Sequence, residues 1–205
     1  MPSRWNEFKT HIMINTDNKN QVIVVGYAQA SITQEFKWWI QQEFNNVDIV
    51  TPDKLVLDPD TAYMVSITRD RVERQQIIDL LENYSLATFV HTTSIIHRDT
   101  HIAKGVFVGP NSSVYFNAVV GKHSIIAPYS MIGHATKIGD NNITSPGTLI
   151  AGGCNIGDNC LFGIRSTIID RLNICSDVTI GAGALVTKHI ETPGNYVGSP
   201  ARKVA

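Results

Sequence analysis

The chain has 205 residues, of which 43% are hydrophobic and 17% charged, and a formal net charge of −1 at pH 7. That length can hold two small cores, and a charge this close to zero gives no long-range field for gathering nucleic acid or an anionic membrane. The longest aliphatic run, Val22–Val25, falls far short of the ~20 apolar residues of a membrane-spanning helix, so no membrane insertion is expected.

Residues 1–20 are polar and lack the apolar segment of a secretory signal, so they read as an N-terminal extension of a cytoplasmic protein. Gln21–Gly26 (QVIVVG) reads as a buried strand ending at a glycine. The loop Gly26-Tyr27-Ala28-Gln29-Ala30-Ser31 follows, and a helix should start behind it. Backbone N–H groups in such a loop can meet a phosphate, although with one glycine a plain structural turn fits equally well. The spacing of Phe36, Ile40 and Phe44 predicts a helix over Thr33–Phe44. Short apolar pieces come next at Val47–Val50 and Ala62–Ile67. A second helix is predicted from about Asp70 to Tyr84, opened by Asp70 and Glu73 at capping-box spacing. This alternation argues for a small parallel α/β domain over residues 21–87, with Ser85–Thr88 as the junction.

From Thr88 a different period takes over. Stepping by six from Val90 through Ile96, Ile102, Val108 and onward to Val186 meets a large apolar residue at sixteen of 17 positions, the exception being Thr144. Two residues before most of them stands a small residue, such as Ser94, Ser112, Ser124, Ser130, Thr136, Cys154 or Ser166. A period of six fits neither an amphipathic helix nor an alternating strand. It fits a triangular coil of three short strands in which like residues stack every 18 residues, a parallel β-helix over residues 88–205. Glycines that follow the apolar position, such as Gly121, Gly133 and Gly163, are expected to use positive φ in the turns. The hexad holding Asn142 and Thr144, followed by Ser145-Pro146-Gly147, is expected to be distorted or to face outward.

Cys154, Cys160 and Cys175 lack metal-ligand spacing and read as buried thiols. No two histidines lie five residues apart, the spacing of the close ligand pair in γ-type carbonic anhydrases, which use a related coil, so no metal is expected. His91, His97, His101, His123 and His189 read as solvated turn residues.

An α/β domain joined to an uninterrupted hexapeptide coil resembles the bacterial nucleotide-sugar acetyltransferases, including those acting on bacillosamine and perosamine precursors and the sialic-acid O-acetyltransferase group. The resemblance is carried by Ile132-Gly-His134-Ala-Thr-Lys-Ile-Gly-Asp140, Ile150-Ala-Gly-Gly153, Asn155-Ile-Gly-Asp158 and the closing Tyr196-Val-Gly-Ser-Pro-Ala-Arg-Lys203. It implies a left-handed coil, a Rossmann-like N-terminal domain and a homotrimer, with acetyl-CoA held between neighbouring β-helices. It further implies N-acetylation of a nucleotide-linked amino-dideoxy sugar, with His134 as general base, in surface-polysaccharide synthesis. Cofactor contacts are implied at Gly152, Gly153, Ile164, Ala182, Lys188 and Arg202, and substrate contacts at Gly26, Tyr27, Ala28 and Gln29. The family's acidic residue after the catalytic histidine is replaced here by Ala135. Sugar O-acetylation, and a non-catalytic trimeric scaffold that binds nucleotide-sugar, are the alternatives.

The repeat adds a reason of its own for His134. Two positions after Ile132, it should sit on a turn and point outward. The same place in successive coils holds Phe116, His134, Gly152, Asp170 and Lys188. With coils ~4.8 Å apart, Gly152 and Gly153 would leave a low surface beside the imidazole, and Lys188 would lie about 14 Å along.

Overall fold

The computed structural model describes residues 19–204 apart from Ala28 and Glu43, so most of the expected extension over residues 1–20, and the candidate Ala28, lie outside the described residues. The N-terminal part is built from β1 (Gln21–Val25), α1 (Ser31–Gln41), β2 (Val47–Val50), β3 (Thr61–Val65), α2 (Arg71–Leu80) and β4 (Ser85–Leu86). Its four strands form one parallel sheet in the order β2-β1-β3-β4. The apolar run of β1 is explained by this central position: Val22, Val24 and Val25 are fully buried. Both helices stop earlier than their spacing predicts, α1 at Gln41 rather than Phe44 and α2 at Leu80 rather than Tyr84. Beyond α1, Phe44 N–H still donates to Ile40 O at 2.9 Å. After α2, Tyr84 turns back so that its ring meets Tyr63 edge-on with centroids 5.8 Å apart. Asp70 caps α2 by accepting the Glu73 backbone N–H at 2.9 Å.

From Phe89 the chain winds as a parallel β-helix. Each hexad contributes one short strand, such as Ile125–Ile126, Met131–Ile132 and Lys137–Ile138. Strands 18 residues apart pair in register: Ile126 lies between Val108 and Thr144, and Ile132 between Val114 and Ile150. Three faces result, of eight, six and five strands, and the eight-stranded face ends in the antiparallel pairing of Gly194–Val197 with Arg202–Val204. Val108, Ile126, Ile132, Ile150, Phe162, Ile168 and Ile180 point inward and are 0% exposed. Each such burial is worth about 1.5–3 kcal/mol, which makes this stack the main source of stability in the coil.

The small residues two before each apolar one do more than fit a corner. Several of their hydroxyls donate to a carbonyl fifteen residues on: Ser94 to Gly109 O at 2.8 Å, Ser112 to Ala127 O at 2.9 Å, Thr136 to Ala151 O at 2.8 Å. A serine or threonine satisfies a buried carbonyl there that alanine would leave without a donor.

Two expectations about the turns are corrected. Positive φ falls two residues after the glycines, at Asn111, His123, Ala135, Asn141 and Arg165 among others, with φ near 55°. The glycines are required instead by contact between coils. A Cβ on Gly133 would lie 2.5 Å from both the Ala151 carbonyl carbon and the Gly152 nitrogen, and one on Gly163 would lie 2.5 Å from the Ala182 nitrogen. The hexad of Asn142 and Thr144 is also undistorted and inward-facing. Asn142, 0% exposed, donates to Gly157 O at 2.9 Å and accepts the Cys160 N–H at 2.8 Å. Thr144 accepts the Ala127 N–H at 3.0 Å and bonds Ser130 Oγ at 3.1 Å. Complete hydrogen bonding is what lets these polar side chains replace a small and a large apolar residue.

The N-terminal part docks on the eight-stranded face and on the corner that leads into it. Phe107, Ile125 and Ile143 point outward from that face, yet they are only 1%, 3% and 5% exposed. Phe36 of α1 stacks on Phe107 with ring centroids 3.8 Å apart. At the corner, Arg74 of α2 is 1% exposed and donates to Asn141 Oδ1 at 2.7 Å, Val65 O at 2.9 Å, Ile67 O at 2.8 Å and His123 O. Burial pulls its guanidinium down from its ordinary value to about 9, still protonated at neutral pH. His123 is not a solvated turn residue: it is 5% exposed under this contact. Burial, then the charges of Arg74 and Lys122, push its imidazole down to about 4 and keep it neutral. Neighbouring Arg71 donates to Asn159 and to Thr179 Oγ1 at 3.2 Å, extending the contact by one coil.

Candidate active site

His134 occupies the corner between the six-stranded and five-stranded faces, on the turn from Met131–Ile132 to Lys137–Ile138. The strand pattern dictates its direction: Ile132 points inward at 0% exposure, and two residues later the chain has turned, so His134 is exposed. Its backbone is tied to the coils on both sides. Ala135 N–H donates to Phe116 O at 2.8 Å, and Gly153 N–H donates to His134 O at 2.8 Å. Ala135 has a φ of 55°, the left-handed turn geometry shared at this corner by Asn117, Gly153 and Arg171.

The imidazole lies on Gly152. A Cβ on Gly152 would be 2.5 Å from Nε2, 2.7 Å from Cε1 and 2.8 Å from Cδ2, so the distal edge of the ring rests where that methyl group would be. Gly153 adopts a φ of 71° and continues the turn. Phe116, one coil toward the N-terminus, is 45% exposed, and its ring meets His97 with centroids 4.9 Å apart. Asp170 pairs with Arg171 at 2.9 Å rather than approaching His134. Lys188, exposed, stands on the same corner three coils from His134, about 14 Å at the usual strand spacing.

The remaining candidates lie elsewhere on this chain. Ile164 and Ala182 occupy the corner that follows the eight-stranded face, in adjacent coils linked by Gly183 N–H to Ile164 O at 2.8 Å. Ile164 is 55% exposed and Ala182 is also exposed. Arg202 is exposed on the closing antiparallel strand and donates to Ala201 O at 2.9 Å.

Gly26, Tyr27 and Gln29 lie at the carboxyl end of β1, the edge where open α/β sheets bind ligands, beside the point where the order β2-β1-β3 reverses the winding. Gly26 is there for packing: a Cβ would clash with Ser66 Oγ and lie 2.8 Å from Thr33 Oγ1, two hydroxyls that bond each other at 3.0 Å. Its N–H is already donated to Val50 O at 3.0 Å. Tyr27 donates its hydroxyl to Glu73 at 2.5 Å, and this bond holds its phenol above the ordinary value. Asp53 and Lys54, after β2, adjoin the same edge and were not singled out by the sequence pattern. The charge of Asp53 reaches Tyr27, as does that of Asp70.

Among the described residues no group of three His, Cys, Asp or Glu side chains is arranged to hold a metal ion, and no helix is long and apolar enough to cross a membrane. Cys154 and Cys160 are buried and Cys175 half-buried, all as free thiols. Burial raises the Cys154 thiol and takes that of Cys160 up to about 11, so neither is a nucleophile at neutral pH.

Residues 117–152, the stretch that includes His134, match the family of bacterial transferase hexapeptide repeats. No curated protein sequence matches the chain significantly. Among solved structures it is similar to the acetyltransferase domain of PglB from Neisseria gonorrhoeae FA1090, with a TM-score of 0.82 and 17% identity, covering 91% of this chain and 100% of that one. It is similar to a histidine variant of perosamine N-acetyltransferase from Caulobacter crescentus in complex with CoA and GDP-perosamine, with a TM-score of 0.76 and 17% identity over 95% of this chain and 99% of that one. WeeI from Acinetobacter baumannii AYE matches with a TM-score of 0.79 and 22% identity over 90% of this chain and 99% of that one. The chain thus carries bacterial transferase hexapeptide repeats at its centre and shares, over nine-tenths of its length, the two-part fold of these structures.

Proposed function

We propose that this protein is an acetyl-CoA-dependent acetyltransferase that N-acetylates a nucleotide-linked amino sugar, with His134 as general base. The observation that carries the reading is the exposed His134 imidazole on a β-helix corner, seated on Gly152, in a chain whose fold is shared with an acetyltransferase bound to acetyl coenzyme A and with another bound to GDP-perosamine. The left-handed winding, the Rossmann-like character of the sheet, a cytoplasmic location and a role in surface-polysaccharide synthesis belong to the same proposal.

The residues at hand suit acetyl-CoA. Gly152 and Gly153 keep the corner low enough for a slender chain, and Lys188 and Arg202 offer cations for phosphates. Ile164 and Ala182 sit on a different corner of the same chain, so they would meet this site only from a neighbouring copy. A homotrimer supplies that neighbour. It would also cover the outer side of the six-stranded face, where Ile95 and Leu149 are 57% and 40% exposed, and the bordering Tyr115 and Tyr129, 43% and 65% exposed. The nucleotide would lie along Gly26, Tyr27 and Gln29 at the edge of the sheet.

In the reaction, the amine nitrogen of the sugar forms a bond to the thioester carbonyl carbon as the carbonyl electrons move to oxygen. His134 takes the proton released from that nitrogen. When the carbonyl re-forms, the C–S bond breaks and the protonated imidazole returns the proton to the departing thiolate, giving the amide and free CoA thiol. Such a base is worth about 10²–10⁴ in rate, and holding the two substrates together accounts for much of the rest. The test is release of CoA thiol from acetyl-CoA against a panel of nucleotide-linked amino and hydroxy sugars. Turnover with an amino sugar is expected. Turnover with hydroxy acceptors only would make it an O-acetyltransferase, and none with any acceptor would overturn the reading.

A further inference from the structure

Resting on that reading, we propose that Gly152 is a positioning residue: it is the seat that orients the His134 base, rather than only a bare stretch of the cofactor's path. Among the described residues no hydrogen bond or ion pair to the imidazole is found, so an exposed histidine with two free torsions would ordinarily sample several rotamers. Here its main chain is clamped on both sides, and the distal edge of the ring rests on the Gly152 Cα.

The closest contacts around residue 152 point to this ring. Gly153 needs its positive φ of 71°. Gly133 is forced by backbone atoms of the next coil at 2.5 Å. Gly152 has no positive φ, and the three nearest atoms to its missing Cβ, at 2.5–2.8 Å, all belong to the His134 ring. A methyl group at 152 would therefore leave the coil intact and displace the imidazole, because the end of a flexible side chain moves more easily than a packed backbone. Misplacing a catalytic group by about 1 Å can cost ~10²-fold in rate.

The experiment compares wild type, Gly152→Ala, His134→Ala and the double variant in steady-state transfer, together with the imidazole C–H signals of the unliganded proteins by NMR. The His134 signal is assigned by its loss in His134→Ala. The seat predicts a shifted His134 signal in Gly152→Ala and a kcat lowered 10-fold or more, a loss larger than any change in the KM for acetyl-CoA. It also predicts no further loss when Gly152→Ala is added to His134→Ala. A raised KM for acetyl-CoA with kcat and the NMR signal unchanged would overturn the proposal and leave Gly152 as part of the cofactor's path, as would a wholly silent Gly152→Ala. Wild type that transfers no acetyl group while the His134 signal still shifts in Gly152→Ala would sink the transferase reading and leave the seat standing.

Discussion

Two corners of one β-helix, built from the same hexad, have taken opposite uses. On the corner after the five-stranded face, the left-handed position carries His123, Asn141 and Asn159 in successive coils, and α2 closes over it. Arg74 reaches in, and each of its bonds ends on a carbonyl or amide oxygen. On the corner after the six-stranded face, the same position carries Asn117, Ala135, Gly153 and Arg171, with no element over it among the described residues, and His134 and Phe116 are displayed to solvent. The inner wall of the coil is common to both, because every third hexad must stack on the last. The outer positions carry no such constraint, so one corner can anchor a domain while the other presents an imidazole to solvent.

The contrast can be broken at its open end first. His134→Ala should lower acetyl transfer by about 10²–10⁴ while leaving the circular dichroism and unfolding midpoint nearly unchanged, since the imidazole is exposed. At the closed corner the outcome should invert. Arg74→Met should cost about 3–5 kcal/mol in denaturant unfolding, because buried carbonyl oxygens lose their donor at ~1–3 kcal/mol each. Full stability in that variant would mean that the interdomain contact is held by Phe36 on Phe107 and by Arg71 on Asn159 and Thr179.

A smaller effect separates two glycines on the open corner. Gly133→Ala should destabilise the coil by about 1–3 kcal/mol, because its Cβ meets backbone. Gly152→Ala, whose Cβ has the His134 side chain as its nearest contact, should fall well below that in the same melt. Equal losses would erase the distinction between packing and seating.

The last effect is one of pH. His123 titrates at about 4 when folded, below the ordinary 6.5, so the unfolded chain binds more protons between those values. Its contribution is complete above pH 6.5 and is lost as pH falls through 4, with a slope of at most ~1.4 kcal/mol per pH unit. His123→Asn keeps a residue suited to its φ of 57° and should remove that part of the acid sensitivity, read as the difference between the two unfolding curves from pH 7 to 4. Parallel curves would mean that His123 does not stay neutral.

Much of the coil was legible because a six-residue period with one inward apolar side chain leaves little freedom. Val108, Ile126, Ile132 and Ile150 could be placed on the axis by counting, and His134 on a turn by counting two further. The misreadings share a cause. Asn142 and Thr144 looked like a break because polarity in one dimension does not show the Cys160 N–H and Gly157 carbonyl that satisfy Asn142 from the next coil. His123 looked solvated because nothing local announces the helix that covers it. The glycines looked like turn residues, and only the separation between coils shows that several exclude a Cβ.

What the linear chain determined by itself was its inner wall: burial at a fixed period is a local, repeated constraint, and each hexad states it again. Which outer surfaces are covered, which corner receives Arg74 and which lets an imidazole settle on bare backbone were decided only in three dimensions. Those contacts join residues as far apart as Arg74 and Asn141, or His134 and Gly152, whose complementarity exists only once separate coils are stacked.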